Sequence, residues 1–147
     1  MIYTVGEAAR KIDVAASTLR YYDKEGLFPF IERSGGGMRM FKDDDLSWLK
    51  TIECLKKTGM PIKDIKHFID YCMEGDSRID ERLEIIRAQR ESVVRQMEEM
   101  QAMLDMLSYK CWYYEKAKEA GTCSIHDDMK EEDVPKEFHR YLKTTQL

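Results

Sequence analysis

No stretch of this 147-residue chain stays apolar long enough to cross a bilayer. The first residues, MIYTVGEAARKIDV, lack the unbroken apolar core of a secretory signal. A cytoplasmic chain with no membrane partner is therefore the expectation. The four cysteines, Cys54, Cys72, Cys111 and Cys123, contain no CxxC pair, which removes the short spacing of zinc ribbons and redox dithiols. In a reducing compartment each is expected to be a free thiol. The sequence also lacks a Ser-His-Asp set, a phosphate-binding glycine loop and a closely spaced carboxylate pair, so neither an enzyme nor a cofactor is expected. Positive charge is in deficit too, with 24 Lys/Arg against 28 Asp/Glu and a formal charge of −4. Taken over the whole chain, that balance weighs against a nucleic-acid partner.

The distribution of charge reverses that inference locally. Residues 1–42 hold seven Lys/Arg and five Asp/Glu, a net of +2, which leaves −6 for the remainder. Within the basic part, TVGE at Thr4–Glu7 has the form of a capping box and predicts a short helix through Ile12. Asp13 and Val14 then make a turn. A second helix is expected from about Ala15 to Glu25, ended by Gly26 in a left-handed C-cap. Two short helices joined by a brief turn form a helix-turn-helix candidate. The following LFPFIERSGGGMRMF has no helical period; its apolar arms flank Ser34 and three glycines and predict a hairpin with a flexible tip, a wing carrying Arg33 and Arg39.

Asp43–Asp45 suit the N-terminus of a third helix that ends near Thr58-Gly59, and Pro61 takes an early position in a fourth. Helix four is expected to bury Ile62, Ile65, Phe68, Ile69 and Cys72 on one side, Cys72 as a core thiol. From Ile79 onward, Leu83, Ile86, Arg90, Val93, Met97, Met100, Leu104, Leu107, Cys111 and Tyr114 follow in alternating steps of four and three. This is a heptad seam interrupted at Arg90, and a second copy of the chain is its simplest cover. Trp112, Tyr113 and Tyr114 are expected to cap the coil against another element, with a small-molecule pocket as an alternative use. A charged tail remains, in which His126 and His139 read as solvated.

The segment from Tyr3 to Ile65, and above all TLRYYDKEGL, MRMF and KTGMPIKDI, resembles the DNA-binding domain of the MerR family of bacterial transcription regulators. The long helix after Ile79 is similar to that family's dimerisation helix. The resemblance implies a mainly α fold: a winged helix-turn-helix domain with helices three and four over 1–75, a long antiparallel coiled-coil helix over 76–120, and a tail over 121–147. It further implies a homodimer that binds and distorts double-stranded promoter DNA for RNA polymerase. Thr18, Arg20, Tyr21, Tyr22, Arg39 and Lys63 are then the expected DNA contacts, Arg20 toward base edges or phosphates, and Tyr21, Tyr22 and Arg39 toward the backbone. Ala15 departs from the pattern, because it offers no side-chain acceptor to cap the recognition helix.

Such a regulator needs a signal, and a chain this short has no room for a large separate ligand-binding domain. At 100° per residue Trp48, Leu49, Ile52 and Leu55 share one side of helix three and Cys54 falls opposite, between Lys50 and Lys57. Two cations beside an accessible thiol favour the thiolate. TIECLKKTGMPIKDI also resembles a branch of the family that responds to aldehydes and other thiol-reactive species through one cysteine at this position. Metal response through Cys111, Cys123 and His126 is the second reading, although GDSRID lacks the cysteine that metal-responsive relatives place at the start of the dimerisation helix. A coiled-coil interaction protein without a promoter is the third; it explains the seam but leaves TLRYYDKEGL unused.

Overall fold

The computed structural model describes residues 1–142, so the end of the tail expected over 121–147, residues 143–147, lies outside the described residues. Strand β1 (Ile2–Tyr3) leads into helix α1 (Val5–Lys11). The capping box forms as expected: the Glu7 amide donates to Thr4 Oγ1 at 3.3 Å and the Thr4 amide to Glu7 Oε2 at 2.8 Å. Asp13, at φ 58°, makes the tight turn; its residue type tolerates the left-handed region better than most. Helix α2 (Ala16–Lys24) follows without a side-chain cap at Ala15. It ends at Gly26, whose φ of 80° lets the Leu27 amide reach back to the Tyr22 carbonyl at 3.0 Å.

Strands β2 (Glu32–Arg33) and β3 (Arg39–Lys42) form the expected hairpin, in register Glu32↔Met40 and Arg33↔Arg39. Its tip is more tightly closed than three glycines suggest. Gly37 donates to the Ser34 carbonyl at 2.9 Å, Ser34 to the Met38 carbonyl at 2.8 Å, and the Met38 amide to Ser34 Oγ at 3.2 Å. The sheet has order β1-β3-β2, because β1 pairs with the other edge of β3.

Helix α3 (Asp43–Lys57) opens on its three aspartates, which perform separate tasks. Asp45 is buried and accepts from the Lys42 amide at 2.8 Å, while Asp43 accepts from the Tyr3 hydroxyl at 2.7 Å. Helix α4 (Ile62–Met73) starts one residue after Pro61, which therefore stands at the cap rather than inside the first turn. Ile65 and Ile69 are fully buried and Ile62 and Phe68 half-buried at the edge of the same core, whereas Cys72 is half-buried outside that cluster rather than a core thiol. Burial pushes the Cys72 thiol upward, opposed in part by the Arg82 guanidinium. Leu19 and Tyr22 of α2, Leu27, Phe28, Phe41 of β3, and Leu49 and Ile52 of α3 complete this core.

Helix α5 (Ile79–Ala120) is one continuous element of 42 residues, about 63 Å long at 1.5 Å per residue. The chain divides into two compact units, the first spanning Met1–Val93 and the second beginning at Val94. In the first unit Gln89 Nε2 donates to the Thr58 carbonyl at 2.9 Å and to Thr58 Oγ1 at 3.1 Å, which ties the turn between α3 and α4 to the start of α5. The seam residues Ile79, Leu83, Ile86, Met97, Met100, Leu104, Leu107 and Tyr114 all lie exposed along the helix.

In the second unit the tail keeps most of its residues exposed but packs three of them against α5, and its two histidines are half-buried rather than solvated. Short 3-10 turns at Cys123–His126, Glu131–Asp133 and Lys136–Tyr141 carry it back along the end of α5. Val134, Phe138 and Tyr141 are buried against Met106, Tyr109, Trp112 and Met129. The two histidines are ordered with it. His126 stacks on Tyr113 at 3.7 Å between ring centres, its Nε2 2.8 Å from the Tyr113 carbonyl. His139 Nε2 lies 2.8 Å from the Val134 carbonyl and Nδ1 3.3 Å from Glu131. Trp112 does cap the helix against another element, and that element is the tail. Tyr114 stays exposed on the seam side. Around Trp112 stand Phe138, 5.9 Å away between ring centres, and His126, 5.6 Å away.

Candidate nucleic-acid interface

Helix α2 has two faces because Leu19 and Tyr22, three residues apart, point the same way into the core. Rotating by 100° per residue from them brings Ser17, Arg20, Tyr21 and Lys24 to the exposed side. Arg20 is exposed and Tyr21 keeps 47% of its surface, so both are free to meet a ligand. Thr18 is half-buried at the start of the helix. With Val14, Ala15, Tyr22, Glu53, Lys56 and Lys57 it lines an open cleft of about 440 Å³. The uncapped first turn of α2 and two ammonium groups suit that cleft to a phosphate oxygen. Lys63 is exposed in the first turn of α4.

Tyr22 departs from its expected role. It is 0% exposed, and its hydroxyl donates to Glu53 Oε1 on α3 at 2.6 Å, with the Lys56 ammonium 5.0 Å from its ring centre. A ring buried in the core cannot pack on a deoxyribose; Tyr22 fastens the recognition helix to α3 instead. Burial first, and the Glu53 carboxylate second, push its hydroxyl above the ordinary tyrosine range. Tyr22→Phe should lower stability by about 1–2 kcal/mol, the worth of a charge-assisted bond whose acceptor is partly hydrated. Because the folded state holds this proton more tightly than the unfolded one, the difference between wild type and variant should narrow as pH rises above the reference value of 10.0. Urea denaturation of both proteins at several pH values measures this.

The wing arginines are held rather than free. Arg33 Nη2 and Arg39 Nε both donate to Asp23 Oδ2 at 2.6 Å. Arg33 Nη1 also donates to the Gly37 carbonyl at 3.3 Å. The Arg39 bond uses Nε and leaves its terminal N–H groups on the fork. Asp23, Glu53 and Lys56 were missed in the sequence because their partners come from other elements, beyond any local spacing rule.

Cys54 is exposed on α3, on the side away from Leu49 and Ile52, as the helical arithmetic requires. Its carbonyl accepts from the Thr58 amide at 3.3 Å, and Thr58 in turn is the residue that Gln89 holds. Cys111 and Cys123 are exposed as well. Among the described residues no group of three or more His, Cys, Asp or Glu side chains is placed to hold a metal ion, and no helix is long and apolar enough to cross a membrane.

Residues 3–72 match the model of the MerR HTH family of regulatory proteins, and residues 46–109 that of the MerR DNA-binding region. An HTH-type transcriptional regulator of Haemophilus influenzae is 48% identical over 122 residues, 83% of this chain and 90% of that protein. The crystal structure of HiNmlR, a MerR family regulator lacking the sensor domain and bound to promoter DNA, superposes with a TM-score of 0.73 at 46% identity, covering 85% of this chain and 99% of that one. A MerR family transcriptional regulator from Bacillus thuringiensis gives a TM-score of 0.67 at 43% identity, over 76% and 97% of the two chains.

Proposed function

Since the chain belongs to the MerR family of DNA-binding transcriptional regulators, we propose that it binds and distorts promoter DNA as a homodimer and is switched by reactive electrophiles at Cys54. The exposed pair Arg20 and Tyr21, on a helix whose opposite face is locked in the core, carries the DNA-binding part of this reading. Arg20 meets base edges in the major groove, Tyr21 and Arg39 the backbone, and Thr18 and Lys63 the flanking phosphates. Residues 1–75 form the DNA-binding part, 76–120 the antiparallel pairing helix. Bending or untwisting a promoter makes part of the specificity depend on DNA deformability rather than on contacts, and brings the promoter to RNA polymerase in altered geometry.

The switch rests on the exposure of Cys54 and on the scale of the chain. HiNmlR is a regulator lacking the sensor domain, and this chain covers nearly all of it; the exposed thiol of α3, within the DNA-binding part, supports a signal received there. The Cys54 thiol adds across an aldehyde carbonyl: sulfur bonds to the carbon and the thiol proton passes to the oxygen, giving a hemithioacetal without any further reactant. An adduct there sits one turn before Thr58, the point at which α5 holds the α3–α4 turn. Transcription in vitro from the promoter nearest the protein's own gene tests the reading, with wild type and Cys54→Ser compared across aldehydes, oxidants and soft metals. The expected outcome is an aldehyde response in wild type that disappears in the variant while its affinity for DNA stays within about twofold, as for an ordinary surface substitution. A full response in the variant would return the switch to Cys111, Cys123 or the aromatic tail.

A further inference from the structure

We propose that Asp23 is a positioning residue of the DNA interface, which holds the wing arginines Arg33 and Arg39 at a fixed place beside Arg20 and Tyr21. The inference rests on the DNA-contact reading above and adds a residue that makes no contact with DNA itself. Arg33 and Arg39 are directly opposite each other in the β2–β3 register, so two cations face one another across a hairpin whose paired strand β2 has only two residues. Like charges in that relation push the strands apart. Asp23 answers this with one oxygen: Oδ2 accepts from Arg33 Nη2 and from Arg39 Nε, 2.6 Å each. Its side chain retains only 10% of its exposure, whereas Arg39 keeps 25% and Arg33 47%. The carboxylate is thus covered while its guanidinium partners remain open to solvent.

Asp23 belongs to the last two turns of α2, directly after Tyr21 and Tyr22, and Tyr22 is anchored in the core. One short side chain therefore transfers the fixed position of the recognition helix to the wing. It also places a negative charge near a polyanion, and so opposes binding by simple electrostatics. Positioning and charge make opposite predictions for its removal, which gives the experiment its force.

Affinity is measured for two duplexes of equal length, the promoter nearest the protein's own gene and a random sequence, over a range of salt. For Asp23→Asn the expected result is random-duplex affinity equal to or above wild type, and promoter affinity lower by about tenfold, because the fixed arginines hold the register in which the base contacts of α2 form. Asp23→Glu keeps the charge but lengthens the arm, and should lower the promoter-to-random ratio in the same direction. If both duplexes bind Asp23→Asn more tightly by the same factor, or if Asp23→Glu leaves the ratio at the wild-type value, Asp23 is only a charge and the proposal fails. The Arg33→Gln/Arg39→Gln double variant supplies the control. It should weaken binding to both duplexes and flatten the salt dependence, and adding Asp23→Asn to it should leave the ratio where it is. A further fall in the ratio in that background would show Asp23 acting without the arginines and overturn the proposal. Unchanged salt dependence in the double variant would instead remove the wing from the DNA contacts, a failure of the underlying reading.

Discussion

Replacing Leu104 and Leu107 together with glutamate should leave the chain monomeric at micromolar concentration and abolish tight promoter binding. Both leucines stand on the heptad seam of α5 and keep 55% and 58% of their surface exposed in the single chain. Covering what remains exposed of such a leucine contributes roughly 0.8–1.7 kcal/mol, so four of them across a pair contribute roughly 3–7 kcal/mol. The variant forfeits this and places four carboxylates in the seam, where each lacks a partner and resists desolvation. At 1.4 kcal/mol per tenfold, the dimer should weaken by at least about two powers of ten. Promoter affinity falls with it, because two linked reading heads gain an effective concentration worth roughly 10²–10⁴ over a single head. Light scattering after size exclusion and a gel-shift titration report the two losses separately. A variant that stays dimeric would mean that this seam does not pair the two copies.

Arg20→Ala should remove most sequence discrimination while sparing general attraction to DNA. A bidentate arginine contact to a base edge carries about 1–3 kcal/mol of discrimination, and a homodimer makes it twice, giving roughly 2–6 kcal/mol. The promoter-to-random affinity ratio should fall by at least about thirtyfold. The random duplex loses only one charge per copy, a much smaller change in a region that retains Arg10, Lys11, Lys24, Arg33, Arg39 and Lys42. Arg20→Lys separates the two parts of the side chain's work: it restores the charge but not the fork, so random binding recovers and discrimination does not. Equal losses on both duplexes would make Arg20 a phosphate contact. Competition titration at fixed salt distinguishes the cases.

Much of this architecture is legible in local spacing. The Thr4–Glu7 box, the Gly26 terminus, the glycine-tipped hairpin and the long helix α5 each rest on residues no more than a turn or two apart, and all form. Tyr22 shows where a motif misleads. Two adjacent tyrosines after an arginine look alike in one dimension, yet a helix turns 100° between them. Leu19 lies three positions before Tyr22, and that interval alone places Tyr22 on the core face. The tail hid a similar signal. Val134, Phe138 and Tyr141 are spaced four and three apart, but they stand singly in a charged tail. Strand β1, two residues long, has no period to display; its pairing with β3 depends on a segment some forty residues away. Asp23 is illegible for the same reason, since its partners lie ten and sixteen residues further on.

Gln89 limits how freely the base of α5 can drift among related sequences. On a helix, lysine, glutamate, leucine and glutamine are near-equals in propensity, and an exposed position ordinarily accepts any of them. Here the amide supplies a donor to both oxygens of Thr58, and neither leucine nor glutamate offers one. Position 89 should therefore keep a side chain that can donate, or change only in company with Thr58, while its exposed neighbours Ala88 and Arg90 vary without consequence for the corner.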